Sequence, residues 1–143
     1  MKSLFRTTLC ALLVTVIFPA ELTAADGPLR GKLDGQVLAT GNTLLLIDTD
    51  GNTLWEHRGG NCADIWMLDS GNVLFANGSV IEVNPKTNEE VFTYTPEKTK
   101  GGGAYSCQRL PNGNTLVAEN AAGRITEVDA SGKVVFKLDL PLT

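Results

Sequence analysis

The stretch Leu68-Asp69-Ser70-Gly71-Asn72-Val73-Leu74-Phe75-Ala76-Asn77 recurs 42 residues later as Leu110-Pro111-Asn112-Gly113-Asn114-Thr115-Leu116-Val117-Ala118-Glu119. A shorter copy, Gly35-Gln36-Val37-Leu38-Ala39-Thr40, lies 36 residues before Gly71. The second half of each unit repeats too. Leu46-Ile47-Asp48 with Gly51 and Trp55 matches Glu82-Val83-Asn84 with Phe92, and Glu127-Val128-Asp129 with Gly132 and Phe136. Repeats of this length are the size of one four-stranded propeller blade.

Within each unit the chemistry predicts strand, turn, strand, turn, strand, turn, strand. Asp69-Ser70-Gly71-Asn72 and Pro111-Asn112-Gly113-Asn114 are turn sequences, because Gly and Asn tolerate the positive φ of tight hairpins. Short β-branched and apolar runs, Val73–Ala76 and Thr115–Ala118, follow them. Helical spacing of apolar residues is missing after residue 25. The expected fold is therefore all-β: a β-propeller-like arc of about three four-stranded antiparallel blades, in units near 29–57, 61–95 and 103–140. A blade packs face to face on its neighbour, so a large ring at one repeated slot should fill each layer between blades. Trp55, Phe92 and Phe136 are expected to occupy that slot.

The N-terminus reads differently. Lys2 and Arg6 precede an apolar run from Leu9 to Ala20, followed by small residues through Ala24-Ala25, the pattern of a secretory signal. Twelve apolar residues fall short of the roughly 20 that span a bilayer. Residues 1–25 are thus expected to direct export to the periplasm or cell exterior and to be cleaved, with 26–143 as the propeller domain and no membrane span after cleavage. Excluding the first 25 of 143 residues leaves 118, and the net charge moves from −4 to −5. An acidic balance argues against nucleic acid or an anionic membrane as partner.

Of three cysteines, Cys10 falls inside the signal. Cys62 and Cys107 remain, either as a disulfide or as two separately buried thiols, and the repeat alignment does not set them side by side. There is no CxxC pair, and the single histidine, His57, reads as a packing or surface residue at a strand end. Asp48-Thr49-Asp50-Gly51-Asn52 begins like a calcium loop, but Thr53 stands at the sixth position and Gly59 at the twelfth, so a hairpin turn is expected. Lys98–Gly103 lacks the order of a phosphate-binding loop and reads as an inter-blade connection; Asn77-Gly78-Ser79 matches a glycosylation acceptor in a hairpin loop, a match without meaning if the source is bacterial. Innermost strands start near Asn61–Asp64 and Gly103–Ser106, at one mouth of the expected central channel. Asp64, Tyr105, Cys62, Trp66 and Gln108 are the candidate ligand-binding residues; no catalytic residue and no metal ligand is assigned.

Leu46-Ile47-Asp48-Thr49-Asp50-Gly51-Asn52-Thr53-Leu54-Trp55-Glu56 resembles the repeat of quinoprotein-type (PQQ-like) β-propellers. Arg109–Glu119, continuing through Gly123–Asp129, resembles the LPNGNTLV-type blades of exported bacterial propellers, arylsulfotransferase-like proteins included. The quinoprotein resemblance implies a quinone held over calcium against an adjacent cysteine pair, whereas Cys62 and Cys107 lie 45 residues apart. The sulfotransferase resemblance implies an active-site histidine in basic surroundings, which His57 does not match. The expected function is therefore an exported, non-catalytic binding or scaffold module for an unidentified ligand or protein. A subunit or fragment of a quinoprotein or arylsulfotransferase-like enzyme, with PQQ and calcium as cofactors, is the alternative. Propellers close with at least about four blades. Three blades imply self-association into a six-bladed ring, imperfect closure, or a truncated remnant.

Overall fold

The computed structural model describes residues 34–97 and 102–141, all within one compact unit, Gly31–Thr143. The expected signal, and most of the Lys98–Gly103 connection, lie outside the described residues. Among the described residues, eleven strands form three antiparallel sheets. The first holds β1 (Val37–Thr40), β2 (Thr43–Ile47) and β3 (Thr53–Arg58). The second runs in order through β4 (Asp64–Met67), β5 (Val73–Asn77), β6 (Ser79–Asn84) and β7 (Glu89–Tyr94). The third comprises β8 (Ala104–Arg109), β9 (Thr115–Glu119), β10 (Arg124–Val128) and β11 (Val134–Asp139), with a short 3-10 turn at Asn120–Ala122. These are three consecutive blades of a β-propeller. The first has three strands among the described residues.

Each outer hairpin is set by one carboxylate or amide. Asp48 Oδ1 accepts from the Asp50 and Asn52 backbone N–H at 2.9 and 2.8 Å, Asn84 Oδ1 from Lys86 N–H at 2.9 Å, and Asp129 Oδ1 from Ser131 and Lys133 N–H at 2.9 and 3.0 Å. The side chain copies a backbone turn. This is the hairpin expected at Asp48–Asn52.

Alternation along the strands gives every blade two unlike faces. One face of the first blade presents Leu38, Leu44, Leu46 and Trp55, which pack with Cys62, Ile65, Val73, Phe75, Ile81 and Val83 of the second. The second blade in turn presents Leu74, Ala76, Val80, Phe92 and Tyr94 to Ala104, Cys107, Val117 and Val128 of the third. These are the same slots advanced by one repeat. The third blade offers Leu116, Ala118, Ile125, Glu127, Phe136 and Leu138 in those positions and has nothing packed on them among the described residues, so Phe136 is 50% exposed and Leu138 48%.

The expected burial of all three rings is corrected accordingly. Trp55 is 8% exposed, and its indole N–H donates to Asn88 Oδ1 of the second blade at 3.1 Å. Phe92 is half-buried under the Arg109 guanidinium of the third, 5.2 Å from its ring centroid. Phe136 occupies the equivalent slot, but burial there requires a following blade.

Candidate functional site

The first residue of β4 and the third of β8 meet where neighbouring blades converge. Ser106 Oγ donates to Asp64 Oδ2 at 2.6 Å, and the Cys107 backbone N–H donates to the same oxygen at 3.0 Å. A bulge in β8 between Ala104 and Ser106 turns this segment of backbone. Burial pushes the Asp64 carboxyl up, but the donors from Ser106, Cys107, Trp66 and Ile65 outweigh it and hold the pKa below the ordinary value. Asp64 is thus ionised at neutral pH and serves as a clip between two blades.

The five candidates separate in space. Cys62 is buried at the interface of the first two blades, where its thiol donates to Thr40 Oγ1 at 3.3 Å. Trp66, Tyr105 and Gln108 are exposed. Gln108 lines an open groove of about 630 Å³ with Met67, Asp69, Ser70, Glu82 and Arg109. Tyr105 lines a different hollow of about 320 Å³ with Glu119, Asn120, Arg124 and Leu140. Of the five, Asp64 and Trp66 alone share a hydrogen-bonded group.

Both Cys62 and Cys107 are free and buried. Each thiol belongs to a different inter-blade core cluster. Burial foremost, with the charge of Asp64 and the neighbouring Cys62, raises the Cys107 pKa to about 12. A thiol so placed is inert at neutral pH.

His57 packs as expected. Its ring stacks on Trp55 at 5.6 Å between centroids and tilts against Phe75 at 5.9 Å, and Nδ1 lies 2.9 Å from Asn88 Oδ1. Since that oxygen already accepts from Trp55, the hydrogen bond from His57 places its proton on Nδ1.

Two ionic groups escaped the sequence reading. Glu82 is buried, accepts from Asn72 Nδ2 at 2.7 Å, and pairs with Arg109 of the next blade. Arg109 also donates to the Gly113 carbonyl at 2.9 Å. Buried Glu119 accepts from Thr126 Oγ1 at 2.6 Å and faces Arg124 at 3.7 Å, which holds Asp139 at 2.6 Å. The repeat alignment carried a signal for the first group: Glu82 and Glu127 share a slot that is Leu46 in the first blade. No such repetition marks Glu119, whose slot is Asn77 in the second blade. Among the described residues, no three His, Cys, Asp or Glu side chains are grouped to hold a metal, and no helix is long and apolar enough to cross a membrane.

Three four-slot blades that dock face to face define the class: a partial β-propeller. Solved structures agree on the fold. The chain is similar to a streptogramin B lyase (TM-score 0.61, 19% identity, 76% of this chain and 38% of that one). It is also similar to a protein of unknown function from Bacteroides caccae (TM-score 0.58, 21% identity, 75% and 43%) and to a quinohemoprotein alcohol dehydrogenase from Pseudomonas putida HK5 (TM-score 0.57, 17% identity, 73% and 19%). The chain spans less than half the length of each. No family model and no curated protein matches it.

Proposed function

We propose that the chain is an exported β-propeller module that binds or scaffolds and carries no catalytic step of its own. One observation supports this above others: the side chains best suited to chemistry are engaged in holding blades together. Asp64 clips β4 to β8, His57 stacks on Trp55 and tilts against Phe75, and Arg109 pairs with Glu82. The open groove beside Gln108, Arg109 and Met67 is the natural seat for a ligand or protein segment. Export is supported by Lys2, Arg6 and the apolar run Leu9–Ala20; mass spectrometry of the product delivered by a bacterial host is expected to find the chain starting after Ala24 or Ala25.

The likeness to a quinohemoprotein favours a second reading, a quinoprotein-type subunit. The described residues do not fit that cofactor. The two cysteines sit in separate clusters, and no carboxylate cluster is grouped for calcium. Thermal melting of the purified chain with pyrroloquinoline quinone, with and without calcium, distinguishes the readings. We expect an unchanged midpoint; a calcium-dependent rise would defeat the module reading.

A further inference from the structure

We infer that the open face of the third blade is a docking surface for a second copy of this chain, seated head to tail so that two three-bladed arcs close one ring. The inference rests on the fold and is independent of the proposed binding role.

Exposure alone does not identify the surface. Leu54, Val91 and Val135 occupy one slot in β3, β7 and β11 and are 50%, 53% and 51% exposed, so that slot faces solvent in every blade. The neighbouring slot behaves otherwise. Trp55 is 8% exposed and Phe92 half-buried, yet Phe136 is 50% exposed. The same divergence runs through the interior strands: Leu74, Ala76 and Val80 are fully enclosed, while Leu116, Ala118 and Ile125 are only partly covered. The third blade therefore has a finished docking face on which no blade is packed among the described residues.

The polar part of the face is also prepared. Asn114 Nδ2 donates to Glu127 Oε1 at 2.7 Å as Asn72 does to Glu82, and Asn112 adds a donor at 3.3 Å. On Glu82 the remaining oxygen meets Arg109 of the following blade. Glu127 occupies the same slot and awaits a cation.

The chain itself contains the complement. Val37, Ala39, Leu45 and Ile47 of the first blade occupy the slots with which Val73, Phe75, Ile81 and Val83 receive a preceding blade, and Val37 is 38% exposed. A second copy then fits both open ends at once, giving a closed two-fold assembly in place of a growing filament.

Sedimentation of the full chain, purified from the compartment to which the cell delivers it, tests this. A dimer is expected. Phe136→Glu should weaken it at least about tenfold, whereas Val135→Glu, equally exposed in the wrong slot, should leave it intact. Glu127→Lys, which reverses the charge that Asn114 holds on that face, should weaken it similarly. Circular dichroism of each variant verifies folding. A folded monomer at tens of micromolar, open-ended growth beyond two copies, or a dimer disrupted by Val135→Glu and not Phe136→Glu would each overturn the head-to-tail register.

Discussion

At the first residue of β4, Asp64 gathers Ser106 Oγ and the Cys107 amide onto one oxygen, and this fixes what the residue does. Replacing it with Ala leaves the Cys107 N–H without its acceptor, and such losses cost about 1–3 kcal/mol. Urea denaturation is expected to show a shift of that size. Because its folded pKa is lowered, the Asp64 contribution is complete above the unfolded value, near pH 4, and is lost as pH falls through the folded value. Cys107 works in the opposite direction. Its pKa is raised from 9.0 to about 12, so its stabilising effect is complete below pH 9 and declines as pH rises toward 12. A stability profile over that range should lose part of its slope in Cys107→Ala; an unchanged slope would contradict the burial described. Trp55→Ala should cost about 3–5 kcal/mol, as for a ring buried in a core. Phe136→Ala in a dissociated chain should cost far less, since half of that ring is already in water.

Blades were legible in the sequence because turn chemistry and strand periodicity are local. Asp48, Asn84 and Asp129 each order their own hairpin within four residues, so a repeat of side chains is also a repeat of hydrogen bonds. The slot shared by Trp55, Phe92 and Phe136 was legible for the same reason. Its burial was not, because burial depends on a following blade and, among the described residues, only two of the three have one. The candidate site was read less well. Proximity to a channel mouth gathered Asp64, Tyr105 and Gln108 as one group, but Tyr105 and Gln108, three residues apart along β8, line different hollows. Contacts between strands also explain a glycine. Ala104 N–H donates to the Gly78 carbonyl at 2.8 Å, and a Cβ on Gly103 would fall on the Gly78 backbone. Gly103→Ala should therefore separate β8 from the β5–β6 turn and lower stability by about 1–3 kcal/mol, measurable in the same denaturation assay.

Across the whole molecule, two interfaces are complete and a third face stands ready. The first interface docks Trp55 on Asn88, and the second pairs Glu82 with Arg109 beneath Phe92. The third blade repeats the docking side of both, with Glu127 held by Asn114 and Phe136 half in water. An arc of this kind exposes sheet faces that soluble monomers seldom leave uncovered. Closing it buries the ring and removes both open ends with no change to the blades themselves. Small-angle X-ray scattering of the purified chain tests this most directly, since one profile gives both mass and shape. The account predicts the mass of two chains and the profile of a closed, flat ring; the mass of one chain with the profile of an open three-bladed arc would contradict it.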